Sequence, residues 1–289
     1  MKQNSTQAVA PRMVFSQASL QDYIECQRRY QLRYLLHLAW PAIESEPVLE
    51  NERLAAQGAH FHKMIQQFFL GLPGQLIANQ INDVDLLRWW TNFHRSVTND
   101  NLGPLNDPRQ KRFVELSLNA PLAGARLLAQ CDLITLADDG QAIIYDWKTS
   151  LRLPSRTWLT GRMQTRIYPY LLLKAGAYLN AGTPIKAEQI SMIYWFAEFP
   201  EQSEIYRYST SQSQQDERYL QELIKEILTL PEDGFNLTNQ AARCEYCTFR
   251  SYCGRGIEAG QAPEGLVGFE PAEPAMINLD FEQIGEIPF

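Results

Sequence analysis

The stretch Gln141 to Lys148, QAIIYDWK, constrains this chain more than any other. Side chains of a strand alternate between faces, so Ala142, Ile144, Asp146 and Lys148 share one face and Ile143, Tyr145 and Trp147 the other. Both faces are largely apolar, which describes a central strand covered on both sides. Two charged groups ending one face of a covered strand need a reason, because unpaired buried charge is costly. A salt bridge between them would be reason enough.

The preceding strand, Ala125 to Leu136, sharpens the question. With Asp138-Asp139-Gly140 as a three-residue loop and the glycine in the left-handed position, the numbers of paired residues sum to 278. Asp132 then lies opposite Asp146 on the same face, with Cβ atoms roughly 5 Å apart. A slip of one residue would send it to the other face. Two carboxylates that close cannot both stay ionised without a cation between them. Hard oxygen ligands point to Mg²⁺ or Mn²⁺. Lys148 would lie beside the ion, placed to orient a water and stabilise charge growing on a phosphate.

Around this hairpin the pattern predicts helices over Ser16 to Leu38, capped by Ser16 or Ser19, over 52 to 70 and over 83 to 97. Strands follow at Arg112 to Leu118, Ala125 to Leu136 and Gln141 to Lys148. A helix over Gly161 to Leu179, strands at Ile190 to Ala197 and Glu204 to Ser209, and a helix over Gln214 to Leu230 complete the order. That order fits an α/β fold, a mixed sheet flanked by helices with a helical N-terminal addition. Residues 1–15 read as a flexible arm, 16–255 as one domain and 256–289 as an acidic tail. No G-x-x-x-x-G-K-[ST] occurs, which excludes a P-loop motor. No apolar run reaches the ~18 to 20 residues of a membrane helix. The opening MKQNSTQAVAPRMVF lacks the apolar core of a signal peptide, which points to a cytoplasmic chain.

The formal net charge of −7 argues at first sight against a nucleic-acid partner. Seven acids and no Lys or Arg lie between Gly256 and Phe289, however, so the remaining 26 acids balance 26 bases. From Trp147 to Ala187 the bases Lys148, Arg152, Arg156, Arg162, Arg166, Lys174 and Lys186 occur without a single acid. Such a stretch can lie beside a polyanion or be an ordinary solvated face.

Ala129-Gln130-Cys131-Asp132-Leu133-Ile134 followed by Ile144-Tyr145-Asp146-Trp147-Lys148-Thr149 resembles the paired core motifs of the RecB-like PD-(D/E)XK nucleases. The proline of the class name is absent, and the second acid is Asp. The family's G-x-x-x-H on an N-terminal helix is matched by Gly58 to His62, and its Q-x-x-x-Y by Gln164 to Tyr168. An i,i+4 pair such as the latter shares one helical face. The resemblance implies a restriction-endonuclease-like fold. It also implies a metal site of His62, Asp132 and Asp146, completed by the main-chain carbonyl of Trp147, with catalytic roles for Lys148, Gln164 and Tyr168. Glu115 falls where relatives often carry an acid, and it receives no role from the sequence.

Cys244-x2-Cys247-x5-Cys253 places three thiols within ten residues, with Cys26 far upstream. Zinc, an iron–sulfur cluster and unligated thiols remain open, although structural zinc usually draws on two close pairs. Cys131, among core residues, reads as a buried thiol. Ser16-x2-Ser19-Leu20-x2-Tyr23-x2-Cys26-x2-Arg29-Tyr30 resembles the N-terminal signature of the family's iron–sulfur branch. That branch includes the AddB subunit and the CRISPR-associated adaptation nucleases. It implies a [4Fe–4S] cluster held by Cys26, Cys244, Cys247 and Cys253, a staple joining the two ends of the domain. Gln27 stands where a proline commonly follows the first cysteine.

The resemblance implies a Mg²⁺- or Mn²⁺-dependent deoxyribonuclease, expected to be a single-stranded DNA exonuclease in repair, recombination or CRISPR adaptation, with DNA ends and a helicase as partners. The alternative is a non-catalytic iron–sulfur DNA-binding subunit of a helicase–nuclease complex; a third reading is a zinc-stapled RNA-processing factor. The final Glu-Ile-Pro-Phe resembles the tip of bacterial single-stranded DNA-binding proteins. It reads either as a solubilising tail, as a ligand for the proteins that recognise that tip, or as a segment that folds back on the basic stretch.

Overall fold

A computed structural model describes residues 13–38 and 48–256, apart from positions 100, 104, 106 and 246. The expected acidic tail and most of the expected N-terminal arm therefore lie outside the described residues. Val14 and Phe15, assigned to that arm by the sequence, instead belong to a strand, β1 (Val14–Ser16), which pairs in parallel with a central strand. Ser16 ends β1 and caps α1 (Gln17–Glu25). Its Oγ accepts from Ser19 N at 3.1 Å, while Ser19 Oγ accepts from Ser16 N at 2.9 Å, a reciprocal capping box.

The single helix expected to Leu38 is broken at Cys26, whose backbone is extended. The chain resumes as α2 (Gln27–Tyr30) and a π-helical turn (Gln31–Leu35). A tertiary contact satisfies the restarted helix there: Arg28 N, an orphan donor of the new first turn, donates to Asn236 O at 3.1 Å. Helices α3 (Val48–Phe69), α4 (Gly74–Ala78) and α5 (Val84–Thr98) follow. Asp83 caps α5, its Oδ1 accepting from Asp85 N at 2.9 Å and Leu86 N at 3.0 Å.

Next come β2 (Lys111–Leu122), β3 (Ala125–Leu136) and β4 (Ala142–Lys148), then α6 (Arg156–Thr160) and α7 (Met163–Ala175). Strands β5 (Ile190–Phe196) and β6 (Glu204–Arg207) and helix α8 (Thr210–Thr229) complete the order. The mixed sheet runs β1-β3-β4-β5-β6, with β2 on the other edge of β3. Strand β4 is parallel to β5 and antiparallel to β3. Leu133 pairs with Tyr145 and Leu136 with Ala142, the register that the three-residue loop requires, and Gly140 takes a φ of +83°.

Each face of the sheet carries its own core. Ala142 and Ile144 pack with Leu20 of α1, Ile167 and Leu171 of α7 and Leu220 of α8. Tyr145 and Trp147 pack with Phe61 of α3 and Trp89 and Phe93 of α5. The N-terminal helices are thus layers of this sheet, and β4 is covered on both sides. No helix among the described residues is long and apolar enough to cross a membrane.

One rung of the β2–β3 ladder is missing. Val114 pairs with Leu133 and Leu116 with Cys131, but Glu115 and Asp132 between them do not pair. Glu115 has a φ of +50°, a left-handed conformation that β-strands do not use. Residues two apart normally share a face. Here Val114 and Leu133 face the α3–α5 layer, while Leu116 and Cys131 face the α7 layer. The break inverts both strands together, and it does so at two carboxylates.

Candidate active site

The broken rung meets the end of β4. Asp132 Oδ2 accepts from the backbone amide of Trp147 at 2.9 Å, so the carboxylate is fixed by the strand that carries Asp146 and Lys148. Its Oδ1 lies 3.3 Å from His62 Nδ1 on α3. His62, Glu115 and Asp132 each offer a ligand atom, all within 4.8 Å of one another. Among the described residues this is the only set of three or more histidine, cysteine or carboxylate groups so close. Asp146, expected from the sequence to share the metal, lies outside this trio.

Asp146 is held instead in a second, adjoining network. Lys148 Nζ reaches Asp146 Oδ2 at 2.8 Å and donates to Gln164 Oε1 at 2.8 Å. Gln164 in turn donates through Nε2 to Asp146 Oδ1 at 2.5 Å and lies 3.1 Å from the Tyr168 hydroxyl. The ring of Tyr194 lies under the ammonium, 5.6 Å from Nζ to centroid. Gln164 therefore bridges lysine and carboxylate, and helix α7 fixes both. Asp146 is 4% exposed and Lys148 16%, so the ammonium is the more accessible end of the pair.

The electrostatics agree with a site prepared for a cation. Burial lowers the His62 imidazole, but Asp132 and, more weakly, Asp146 outweigh it and hold the group up at about 9. Burial, then the charge of Asp132, raises the Glu115 carboxyl above its ordinary value, while Gln130 donates to it at 2.7 Å. At neutral pH the imidazolium supplies the positive charge beside these acids, and a metal ion would take the place of its proton. An imidazole and carboxylate oxygens are donors that Mn²⁺ accepts, and the oxygens suit Mg²⁺. The residues fit such an ion.

Gly58 gives α3 its approach. A Cβ there would stand 2.9 Å from Thr149 Oγ1, immediately after Lys148. The glycine of G-x-x-x-H lets the helix lie against the end of β4 one turn before His62. His60 is exposed and takes no part. Glu115 is the residue that sequence reasoning left without a role; its signal is a backbone conformation that a non-glycine residue rarely adopts.

The acid-free stretch from Trp147 to Ala187 is not free of acids in space. Arg156 pairs with Glu204, Arg162 with Glu25 at 2.8 Å, Arg166 with Asp216 at 2.6 Å and Lys174 with Glu217 at 3.1 Å. Folding brings those partners from α1, β6 and α8. The expected basic face is largely neutralised.

Of the four cysteines expected as ligands, Cys26 lies at the end of α1 and Cys244, Cys247 and Cys253 in the C-terminal segment. Burial, then Cys247, Cys26 and, more weakly, Cys244, raise the Cys253 thiol. Burial chiefly raises that of Cys247, with Cys26 adding. None of the five cysteines forms a disulfide, and Cys131 is buried in the core. Glu25, next to Cys26, binds Arg29 at 2.6 Å, Arg162 at 2.8 Å and Arg243 at 3.1 Å, tying α2, the start of α7 and the residue before Cys244 to one carboxylate. Gln21 Oε1 accepts from Met163 N at 3.0 Å, which caps α7.

The sequence model of the PD-(D/E)XK nuclease superfamily matches residues 14–254. No curated protein matches the chain. Among solved structures, the protein SSO0001 is 16% identical, with 85% of this chain and 87% of that one covered and a TM-score of 0.39. A protein from Eubacterium rectale, named as a candidate exonuclease, is 11% identical, with 82% and 88% covered and a TM-score of 0.47.

Proposed function

This chain belongs to the PD-(D/E)XK nuclease superfamily, and from that premise we propose that it is a Mg²⁺- or Mn²⁺-dependent deoxyribonuclease of the RecB-like kind, acting on single-stranded DNA ends. The observation that carries the reading is the convergence of His62, Glu115 and Asp132 within 4.8 Å, beside the Asp146–Lys148–Gln164 network. His62, Glu115 and Asp132 would hold the metal, with Asp146, now bound to Lys148 and Gln164, as the further ligand that the sequence resemblance implies. When bound, such an ion would supply Lewis acidity toward the phosphate. Lys148 orients the attacking water and offsets charge on the phosphate oxygens. Gln164 and Tyr168 keep that lysine aimed, since small displacements of positioned groups cost large factors in rate.

Cys26, Cys244, Cys247 and Cys253 are read as the ligands of a [4Fe–4S] cluster. Supporting this, Cys26 adds to the raising of the Cys247 and Cys253 thiols from more than 200 positions away in sequence. No three of them close to the mutual 4.8 Å found at the His62 site. Four thiolates on one tetrahedral zinc stand roughly 3.8 Å apart, from Zn–S bonds of about 2.3 Å. The choice of a cluster over zinc rests on the spacing of the ligands, Cys26 far upstream of Cys244-x2-Cys247-x5-Cys253.

Two measurements test the reading. Calorimetric titration with MnCl₂ should give one binding event in the wild type that Asp132→Asn abolishes; equal binding by both forms overturns the metal assignment. Anaerobically purified protein should be brown and contain iron, lost in Cys247→Ser. Zinc in place of iron overturns the cluster.

A further inference from the structure

Helix α6 begins eight residues after Lys148 and carries features that neither the metal site nor the lysine network uses. Trp158 is 36% exposed, and the Arg162 guanidinium stacks on its ring at 4.7 Å. At the other end of the helix, Arg156 stacks on Tyr206 at 4.5 Å, and its side chain is 56% exposed. The Tyr206 ring meets Tyr194 edge-on at 5.7 Å, and Tyr194 lies under the Lys148 ammonium at 5.6 Å. A run of rings and cations therefore links Lys148 through Tyr194 and Tyr206 to Arg156 at the start of α6, and Trp158 stands on the same short helix. Leu151, Leu153 and Ile205, exposed at 42%, 38% and 48%, supply apolar surface on the loop before α6 and on β6.

Both guanidiniums are already paired, Arg156 with Glu204 and Arg162 with Glu25. Their net charge is offset, and what the shelf offers is flat π surface and apolar rim. Phosphates are recognised by unneutralised charge, whereas unpaired bases stack on aromatic and guanidinium planes. Bases of a duplex are already stacked on each other and do not present their faces.

Resting on the nuclease reading above, we propose that α6 is a base-stacking shelf. Trp158 takes the face of an unpaired base of the DNA strand whose phosphate lies at Lys148, and this shelf makes the enzyme prefer single strands. The residue acts on strand binding and leaves the metal site alone.

The test compares wild type, Trp158→Ala and Trp158→Phe for binding of a fluorescein-labelled oligothymidylate by anisotropy, in EDTA so that no cleavage is needed. A second strand of the same length carries abasic residues. Loss of one base stack, about 1–3 kcal/mol, corresponds to roughly a 5- to 150-fold weakening. We expect that loss for Trp158→Ala on oligothymidylate, near wild-type binding for Trp158→Phe, and equal binding by all three forms on the abasic strand. The salt dependence should be the same for all, since no phosphate contact is removed. Failure of wild type to bind oligothymidylate, equal binding by Trp158→Ala, or a loss that is the same on the abasic strand overturns the shelf. Cleavage with Mn²⁺ judges the nuclease reading separately: a wild type that discriminates between the two strands but cuts neither overturns that reading and leaves the shelf standing.

Discussion

Gly58→Ala separates stability from function at this site. In a helix interior the exchange ordinarily stabilises by roughly 0.8–1 kcal/mol, because glycine loses the most backbone entropy. Here the new Cβ would stand 2.9 Å from Thr149 Oγ1, where ordinary contact begins at 3.4 Å, so the contact must open by about 0.5 Å, and we expect α3 and the end of β4 to part. Metal–ligand distances tolerate about ±0.2 Å. His62, one turn further along α3, then cannot close on the same ion as Asp132, which is bonded to the β4 backbone. Gly58→Ala should keep its melting temperature within a few degrees of wild type while binding Mn²⁺ at least roughly tenfold more weakly, the scale seen when supporting groups of metal sites are lost. Thr149→Ala removes the obstructing oxygen, and Gly58→Ala/Thr149→Ala should recover most of the affinity. Calorimetric titration with MnCl₂ and thermal melts of the four proteins decide it. Wild-type affinity in Gly58→Ala, or no recovery in the double variant, refutes the reasoning.

Glu115→Gly removes a left-handed strain of about 1–3 kcal/mol together with a ligand; its melting temperature should hold or rise by a few degrees while Mn²⁺ affinity falls, and a clear loss of stability would contradict the strained rung. Gln164→Ala leaves Lys148 and Asp146 paired but unaimed. It should lower kcat by roughly 10- to 100-fold with Mn²⁺ affinity nearly unchanged, whereas a matching loss of metal affinity would place Gln164 with the ligands. Backbone donation from Leu86, then Gln57 and the amide of Asp85, holds the Asp83 carboxyl below its ordinary value. The cap's contribution, about 1 kcal/mol for an aspartate N-cap, is therefore fully present above the unfolded carboxylate pKa and is lost as pH falls through the lowered one. Melting curves of Asp83→Ala and wild type should differ by a few degrees at pH 7 and converge in strong acid; a constant gap would contradict the cap.

Much of the site was legible because it rests on local chemistry. Gly140 fixes the loop, the loop fixes the register, and alternation along β4 then brings Asp146 and Lys148 to one face. The i,i+4 spacing of Gln164 and Tyr168 gives their shared side of α7, and the structure shows them in contact. What was not legible depends on the backbone or on distant partners. The broken rung needs a left-handed residue, and Glu115 carries none of the glycine or asparagine signal that would announce one. The acid-free run after Trp147 suggested an open basic face, yet Glu25, Glu204, Asp216 and Glu217 arrive from three other elements. The break at Cys26 is accompanied by a hydrogen bond from Arg28 N to Asn236 O, more than 200 residues away. Hydrophobic periodicity alone runs straight through it.

Single-turnover cleavage of an end-labelled single strand with excess enzyme and Mn²⁺, comparing wild type with Lys148→Ala, tests the central assignment most directly. Circular dichroism of both forms establishes that they are folded. Wild type should cut the strand with Mn²⁺ and fail in EDTA, and Lys148→Ala should be slower by roughly 10²–10³, the cost of losing one positioned electrostatic donor. Cleavage that survives Lys148→Ala unchanged, or a wild type as inert as the variant on single strands, duplexes and RNA alike, would contradict it.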